Sequence, residues 1–156
     1  MRCSRRVRIR FEQLVTASRE RLFRFHSDPR NLAMLMGRRS GFRVVRCSNG
    51  IEPGSVTEVV DRVAGVPIRM VFRHQRCEPP HLFEEHLIRG PFAHFRHVHR
   101  FEAEGDATRV IDEIDLRAPW WLGGELGLRL VTLPRIRRVF AARQVELLRL
   151  IDAGVV

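Results

Sequence analysis

Residues 90–119 carry the pattern that most narrows what this chain can become: GPFAHFRHVHRFEAEGDATRVIDEIDLRAP. Two runs alternate with period two on either side of a short polar connection, Glu102 to Ala107. In the first run Phe95, His97, His99 and Phe101 share one face, and Arg96 and Arg100 take the other. In the second, Thr108, Val110, Asp112, Ile114 and Leu116 share a face, with Arg109, Glu113, Asp115 and Arg117 mostly opposite. Alternation of this length belongs to half-buried strands, whereas a helix repeats about every 3.6 residues. The two runs therefore predict a long antiparallel hairpin. Its inner face is apolar apart from two histidines and an aspartate, which suits the wall of a binding cavity better than a plain core.

At 156 residues and 44% hydrophobic content the chain is long enough for one domain with a sizeable core, and residues 1–156 are read as such. No apolar run reaches the ~18 residues of a membrane span, and the basic start MRCSRRVRIRF lacks the apolar stretch of a secretory signal. Cys3, Cys47 and Cys77 are odd in number and widely spaced, which fits reduced thiols in the cytoplasm. The net charge of +10 raises nucleic acid as a partner. All 28 basic residues are arginine, however, and they are spread along the chain with no basic block. No dedicated nucleic-acid role is expected, only weak contact with anionic membrane surfaces or phosphates.

The rest of the chain extends the same pattern. Val7 to Val15 alternates as a strand, Thr16 and Ser18 offer caps for a short helix bearing Leu22, Phe23 and Phe25, and Asp28-Pro29 starts a second that Gly37 ends. Strands are expected over Phe42–Cys47, Ser55–Val63, Pro67–Cys77 and Leu82–Ile88, with turns at Asn49-Gly50, Pro53-Gly54 and Ala64-Gly65, a break at Pro79-Pro80 and a bulge or bend at Gly90-Pro91. Beyond Pro119, Leu126, Leu130, Leu133, Ile136, Phe140, Leu147 and Ile151 recur at helical spacing, and Pro134 should kink that helix or stand in its first turn. The order of elements demands that one long amphipathic helix cover the concave face of a curved antiparallel sheet.

That order, and several short stretches, resemble the START-like (SRPBCC) superfamily, in its bacterial polyketide cyclase/dehydrase and lipid-transport branch. The stretches are Phe25-His26-Ser27-Asp28-Pro29-Arg30-Asn31-Leu32, Gly90-Pro91-Phe92 leading into Phe95, His97, His99 and Phe101, Thr108 to Asp112 with Pro119, and Phe140 with Arg143. The resemblance implies an α+β helix-grip fold of about seven strands with a hydrophobic small molecule, such as a lipid, isoprenoid or polyketide, held between sheet and C-terminal helix.

His97, His99 and Asp112 form the sharpest constellation. A His-x-His on a strand sets both imidazoles on one face about 7 Å apart, and Asp112 must lie opposite or diagonal to one of them. Three roles fit: a buried hydrogen-bonded pair, acid–base work on a ligand, or a metal site of two histidines and one carboxylate. The first is expected, with Asp112 bonded directly to a ring and with neither metal nor cofactor. Facing assigns Phe72, Phe95, Phe101, Ile114 and Phe140 to the cavity wall; Trp120 and Trp121, beside two glycines, read as a cap on the core, with a gate over the cavity mouth or a membrane-surface anchor as the alternatives. Glu84 and Glu85 read as a solvated pair at a strand edge that could still turn one carboxylate inward, and His74 as a satisfied core histidine. A ligand-binding module is expected over an enzyme. The alternative is a cyclase or dehydratase using His97, His99 and Asp112.

Overall fold

The computed structural model describes residues 5–37, 41–48 and 50–156. Cys3 and Asn49 lie outside them. The chain runs β1 (Val7–Val15), α1 (Arg19–His26), a 3-10 turn (Pro29–Asn31), α2 (Leu32–Leu35), β2 (Arg43–Cys47), β3 (Val56–Val63), β4 (Val66–Glu78), β5 (Leu82–Arg89), β6 (His94–Glu104) and β7 (Ala107–Arg117). A 3-10 turn (Trp120–Leu122), α3 (Gly124–Gly127), a wide π turn (Leu128–Thr132) and α4 (Leu133–Asp152) complete it.

The strands form one seven-stranded sheet in the order β1-β7-β6-β5-β4-β3-β2. Every pairing is antiparallel. Consecutive strands from β2 to β7 are joined by short connections, so each pairs with the next. β1 instead crosses to the far edge and pairs with β7, with Ile9 opposite Ile114 and Phe11 opposite Asp112. In the central hairpin Phe95 faces Leu116, His97 faces Ile114, His99 faces Asp112 and Phe101 faces Val110, the arrangement that keeps the two apolar faces together.

Local chemistry explains the punctuation. Ser18 caps α1 by accepting from the Arg21 N–H, and Asp28 caps the turn that follows through the Arg30 N–H. The turn Glu52–Ser55 closes through Ser55 N–H to the Glu52 carbonyl at 2.9 Å, with Gly54 at φ 92°, as a type II turn requires. Gly90 and Pro91 form the connection between β5 and β6 and not a bulge within a strand, because β5 already ends at Arg89. Pro134 stands in the first turn of α4. The π turn just before it leads the chain past the missing N–H donor, so the helical path continues without a break.

The inner face of the sheet and α4 together hold two apolar clusters. One joins Phe23, Phe25, Phe83, Phe101, Leu147 and Leu150; the other joins Ile114, Leu116, Leu128, Leu133 and Phe140, with Phe95 and Phe11 against it. Alternate residues of β6 explain the split: Phe95 enters one cluster and Phe101 the other, with His97 and His99 between them. Reciprocal amide bonds fix α4 over β1, from Gln13 Nε2 to the Gln144 carbonyl at 2.9 Å and from Gln144 Nε2 to the Glu12 carbonyl at 3.0 Å.

Phe101 sits inside its cluster, 1% exposed, with edge-on contacts to Phe23 at 5.7 Å and to His26 at 5.1 Å. Phe101→Ala should therefore destabilise the fold by about 3–5 kcal/mol. Urea denaturation checks this, and a loss below about 1 kcal/mol would contradict the packing described.

Candidate functional site

Between the two clusters, four strands and α4 turn polar and charged side chains inward. The register of β4, β5 and β6 sets His74 beside Glu85, and Glu85 beside His97. The next row sets Phe83 beside His99, and His99 beside Asp112. Cross-strand neighbours on one face are within reach of each other, so these rows converge.

Asp112 approaches both rings from one side. Its Oδ1 accepts a hydrogen bond from His97 Nε2 at 2.8 Å, diagonally across the hairpin, and lies 2.9 Å from His99 Nδ1 without the alignment of a second hydrogen bond. Glu85 faces the other nitrogens, its Oε1 lying 3.5 Å from His97 Nδ1 and 3.7 Å from His99 Nε2. The imidazoles are 3.8 Å apart between centroids, with Phe83 stacked on His99 and the Phe140 ring edge-on to His97. From α4, the buried Arg143 guanidinium lies over Phe140, 4.6 Å from the ring centroid.

Burial alone would raise both carboxylates. For Asp112 the charge of Arg143 and the interactions with both histidines win, holding it well below the usual range. For Glu85, His97 and His99 do the same. Burial would lower His97, but its two carboxylate partners raise it. Charges this deep are tolerated only because each has an opposite within reach. His74 and His26 lack such close partners. Burial lowers His74, whose Nε2 meets Thr57 Oγ1 at 3.2 Å while its Nδ1 has no hydrogen-bond partner. Burial pushes His26 down to about 4, and its Nδ1 lies 2.8 Å from the Leu22 carbonyl.

This polar band forms one side of a cavity of about 140 Å³. Glu85, His97, His99, His74, His26 and Arg143 bring polar groups to its lining, Phe72, Val59, Phe95 and Phe140 bring apolar ones, and Leu32, Met36, Phe42 and Met70 are half-buried around it. Asp112 faces a smaller void behind, about 20 Å³, shared with Gln13 and Gln144.

Of the residues assigned from sequence, Phe72, Phe95, His97, His99 and Phe140 meet at the cavity. Phe101 and Ile114 do not line it, because each is taken up by an apolar cluster on either side of the polar band. Trp120 and Trp121 stand in the turn after β7, 82% and 58% exposed, and do not close over the cavity. The solvated Glu84-Glu85 pair is corrected. Glu84 turns outward into a two-pronged bond with Arg96 at 2.7 and 2.8 Å, while Glu85 turns inward. Its facing was recoverable from Phe83, Glu85 and Leu87, whose alternation marks one face. His26 went unassigned, although it follows Leu22 by one helical turn and so shares the inward face of α1.

A pH effect follows from His26. Its folded pKa is depressed, so the neutral form favours the fold above the unfolded value near ~6.5, and that contribution is lost as pH falls toward about 4. His26→Gln should remove about one proton's worth of pH dependence, roughly 1.4 kcal/mol per pH unit at most, from the stability profile between those limits. Chemical denaturation across that range measures it, and an unchanged slope would contradict a neutral buried His26.

Comparison with known proteins agrees with this architecture. A Thermus thermophilus protein superposes with a TM-score of 0.75 at 19% identity, covering 95% of this chain and 99% of its own. The Zhui aromatase/cyclase of a Streptomyces species gives 0.76 at 14% identity, with 97% of each chain covered. Norcoclaurine synthase from Thalictrum flavum, solved with dopamine and hydroxybenzaldehyde, gives 0.69 at 14%, covering 94% of this chain and 89% of its own. No curated protein matches the sequence. Among the described residues no helix is long and apolar enough to cross a membrane. Residues 15–146 match the family described as polyketide cyclase/dehydrase and lipid transport, and the chain belongs to that family.

Proposed function

We propose that the protein binds a hydrophobic small molecule of lipid, isoprenoid or polyketide type, with its apolar part in the cavity and an oxygen-bearing end against the polar band. The observation that carries this is the mixed lining of one cavity: Phe72, Val59, Phe95 and Phe140 together with Glu85, His97, His99 and Arg143. A wall of that kind fixes orientation as well as burial. The volume sets the scale. At about 140 Å³ it resembles apolar cavities of roughly 150 Å³ that hold one benzene, so a single ring or short chain fits inside. A longer ligand would extend toward Leu32, Met36, Phe42 and Met70. Each Å² of apolar surface removed from water contributes about 25 cal/mol before the costs of association.

A second reading, catalysis on such a ligand, is favoured by one contact: a cavity-wall histidine, His97, held by the half-buried carboxylate of Asp112. Two of the similar folds carry enzyme names. Turnover of a bound cyclic or polyketide-like compound, sought by mass spectrometry, separates it from simple binding.

A naphthalene-type fluorescent probe should bind one site per chain and be displaced by hydrophobic competitors. Met70→Trp, which fills the cavity from a half-buried position, should weaken that binding by about tenfold or more, equivalent to about 1.4 kcal/mol, while the fold survives. Undiminished probe binding in a folded Met70→Trp protein would count against this cavity as the site.

A further inference from the structure

The two inward carboxylates stand at different distances from the same pair of rings. Asp112 Oδ1 is at 2.8 and 2.9 Å, ordinary hydrogen-bond separations. Glu85 Oε1 is at 3.5 and 3.7 Å, too long for good hydrogen bonds, which fall at about 2.7–3.2 Å. One donor atom from each of Glu85, His97 and His99 lies within 4.8 Å of the others. Zinc–nitrogen and zinc–oxygen bonds of about 2.0–2.1 Å in a tetrahedron put neighbouring ligand atoms roughly 3.3 Å apart. The Glu85 separations lie just above that edge, leaving room for an ion between the three groups, whereas the Asp112 separations fall below it, at hydrogen-bond length.

The rings are also oriented for the task. His97 turns Nδ1 toward Glu85 and Nε2 to Asp112, whereas His99 turns Nε2 toward Glu85 and Nδ1 to Asp112. Each imidazole thus keeps one nitrogen for a metal and turns the other toward Asp112, hydrogen-bonded for His97 and 2.9 Å away without that alignment for His99; an outer carboxylate of this kind fixes tautomer and raises ligand basicity in metal sites. Glu85, His97 and His99 all line the larger cavity, while Asp112 lies behind them.

We propose that Glu85, His97 and His99 hold a zinc ion whose remaining position opens into the cavity, with Asp112 as the positioning residue behind both histidines. Two histidines and one glutamate with an open fourth position form a ligand set of catalytic zinc sites. The ion's two positive charges face the carboxylates of Glu85 and Asp112, and the Arg143 guanidinium leaves one positive charge to meet an anionic ligand. This departs from the metal-free pair expected from sequence, and the carboxylate ligand is Glu85, not Asp112. Resting on the cavity reading above, the site would take a ligand whose polar end is a carboxylate, enolate or dicarbonyl oxygen, bound at the open position.

The test uses untagged, chelator-stripped protein with zinc and cobalt as probes. Zinc affinity is read by competition with a chromophoric chelator, and cobalt coordination by its visible absorption. The expected result is one ion per chain with the bands of tetrahedral cobalt. Glu85→Gln, His97→Gln and His99→Gln should each weaken binding by more than about 100-fold, and Asp112→Asn by about 10–100-fold with the bands retained. Wild-type binding no tighter than that of the Glu85→Gln/His97→Gln/His99→Gln protein would overturn the site. So would binding abolished by His81→Gln and His86→Gln instead. Should the cluster variants fail to fold, X-ray absorption on zinc-loaded wild-type protein decides: two imidazoles per zinc support the site, and one or none overturns it. Probe binding to stripped protein is measured separately, so failure of the metal site and failure of the cavity reading remain distinguishable.

Discussion

Charge compensation inside the sheet is the constraint to which the rest of the structure answers. Asp112 and Glu85 are carried inward by strand alternation, and neither can stay ionised there without partners. His97 and His99 lie between them, and Arg143 approaches from α4. Five side chains from three strands and a helix must therefore agree in register and orientation. A slip of one residue in β6 would turn both histidines to the outer face and leave the carboxylates uncompensated.

This requirement shapes the apolar packing. The core is divided because the polar band crosses it, with Phe101, Phe83 and Leu150 on one side and Ile114, Leu116 and Leu128 on the other. Helix α4 spans the division: Leu147 packs in one cluster, Phe140 in the other, and Arg143 falls between them at the level of the band. The order of these residues along one helix face matches the order of Phe101, His99, His97 and Phe95 along β6. The cavity lies where side chains of sheet and helix fail to meet, beside the band, so that its lining mixes apolar and charged side chains.

Much of this was legible in the residues. Period-two alternation located all seven strands, and like-face matching paired β6 with β7 and set Asp112 beside one of the two histidines. Resemblance to the START-like superfamily supplied the helix-grip arrangement, and the match over residues 15–146 agrees with it. What escaped had physical causes. Glu84-Glu85 offers two adjacent carboxylates, and only the strand's own alternation, weighed against the pull of Arg96 on Glu84, decides which turns in. Phe101 and Ile114 have the right facing for a cavity wall but are consumed by packing, a matter of three-dimensional fit that facing alone does not carry. Trp120 and Trp121 lie in a turn, where no periodicity predicts the direction of a side chain.

If the divided core holds a molecule with one apolar and one oxygen-bearing end, as proposed, that molecule should travel with the protein. Native mass spectrometry of the protein isolated from cells that naturally make it, followed by organic extraction, tests this most directly. The expected result is a co-purifying compound with a ring or short chain small enough for about 140 Å³ and a carboxylate, enolate or carbonyl at one end. Protein that carries no small molecule, or only a fully polar one, would contradict it.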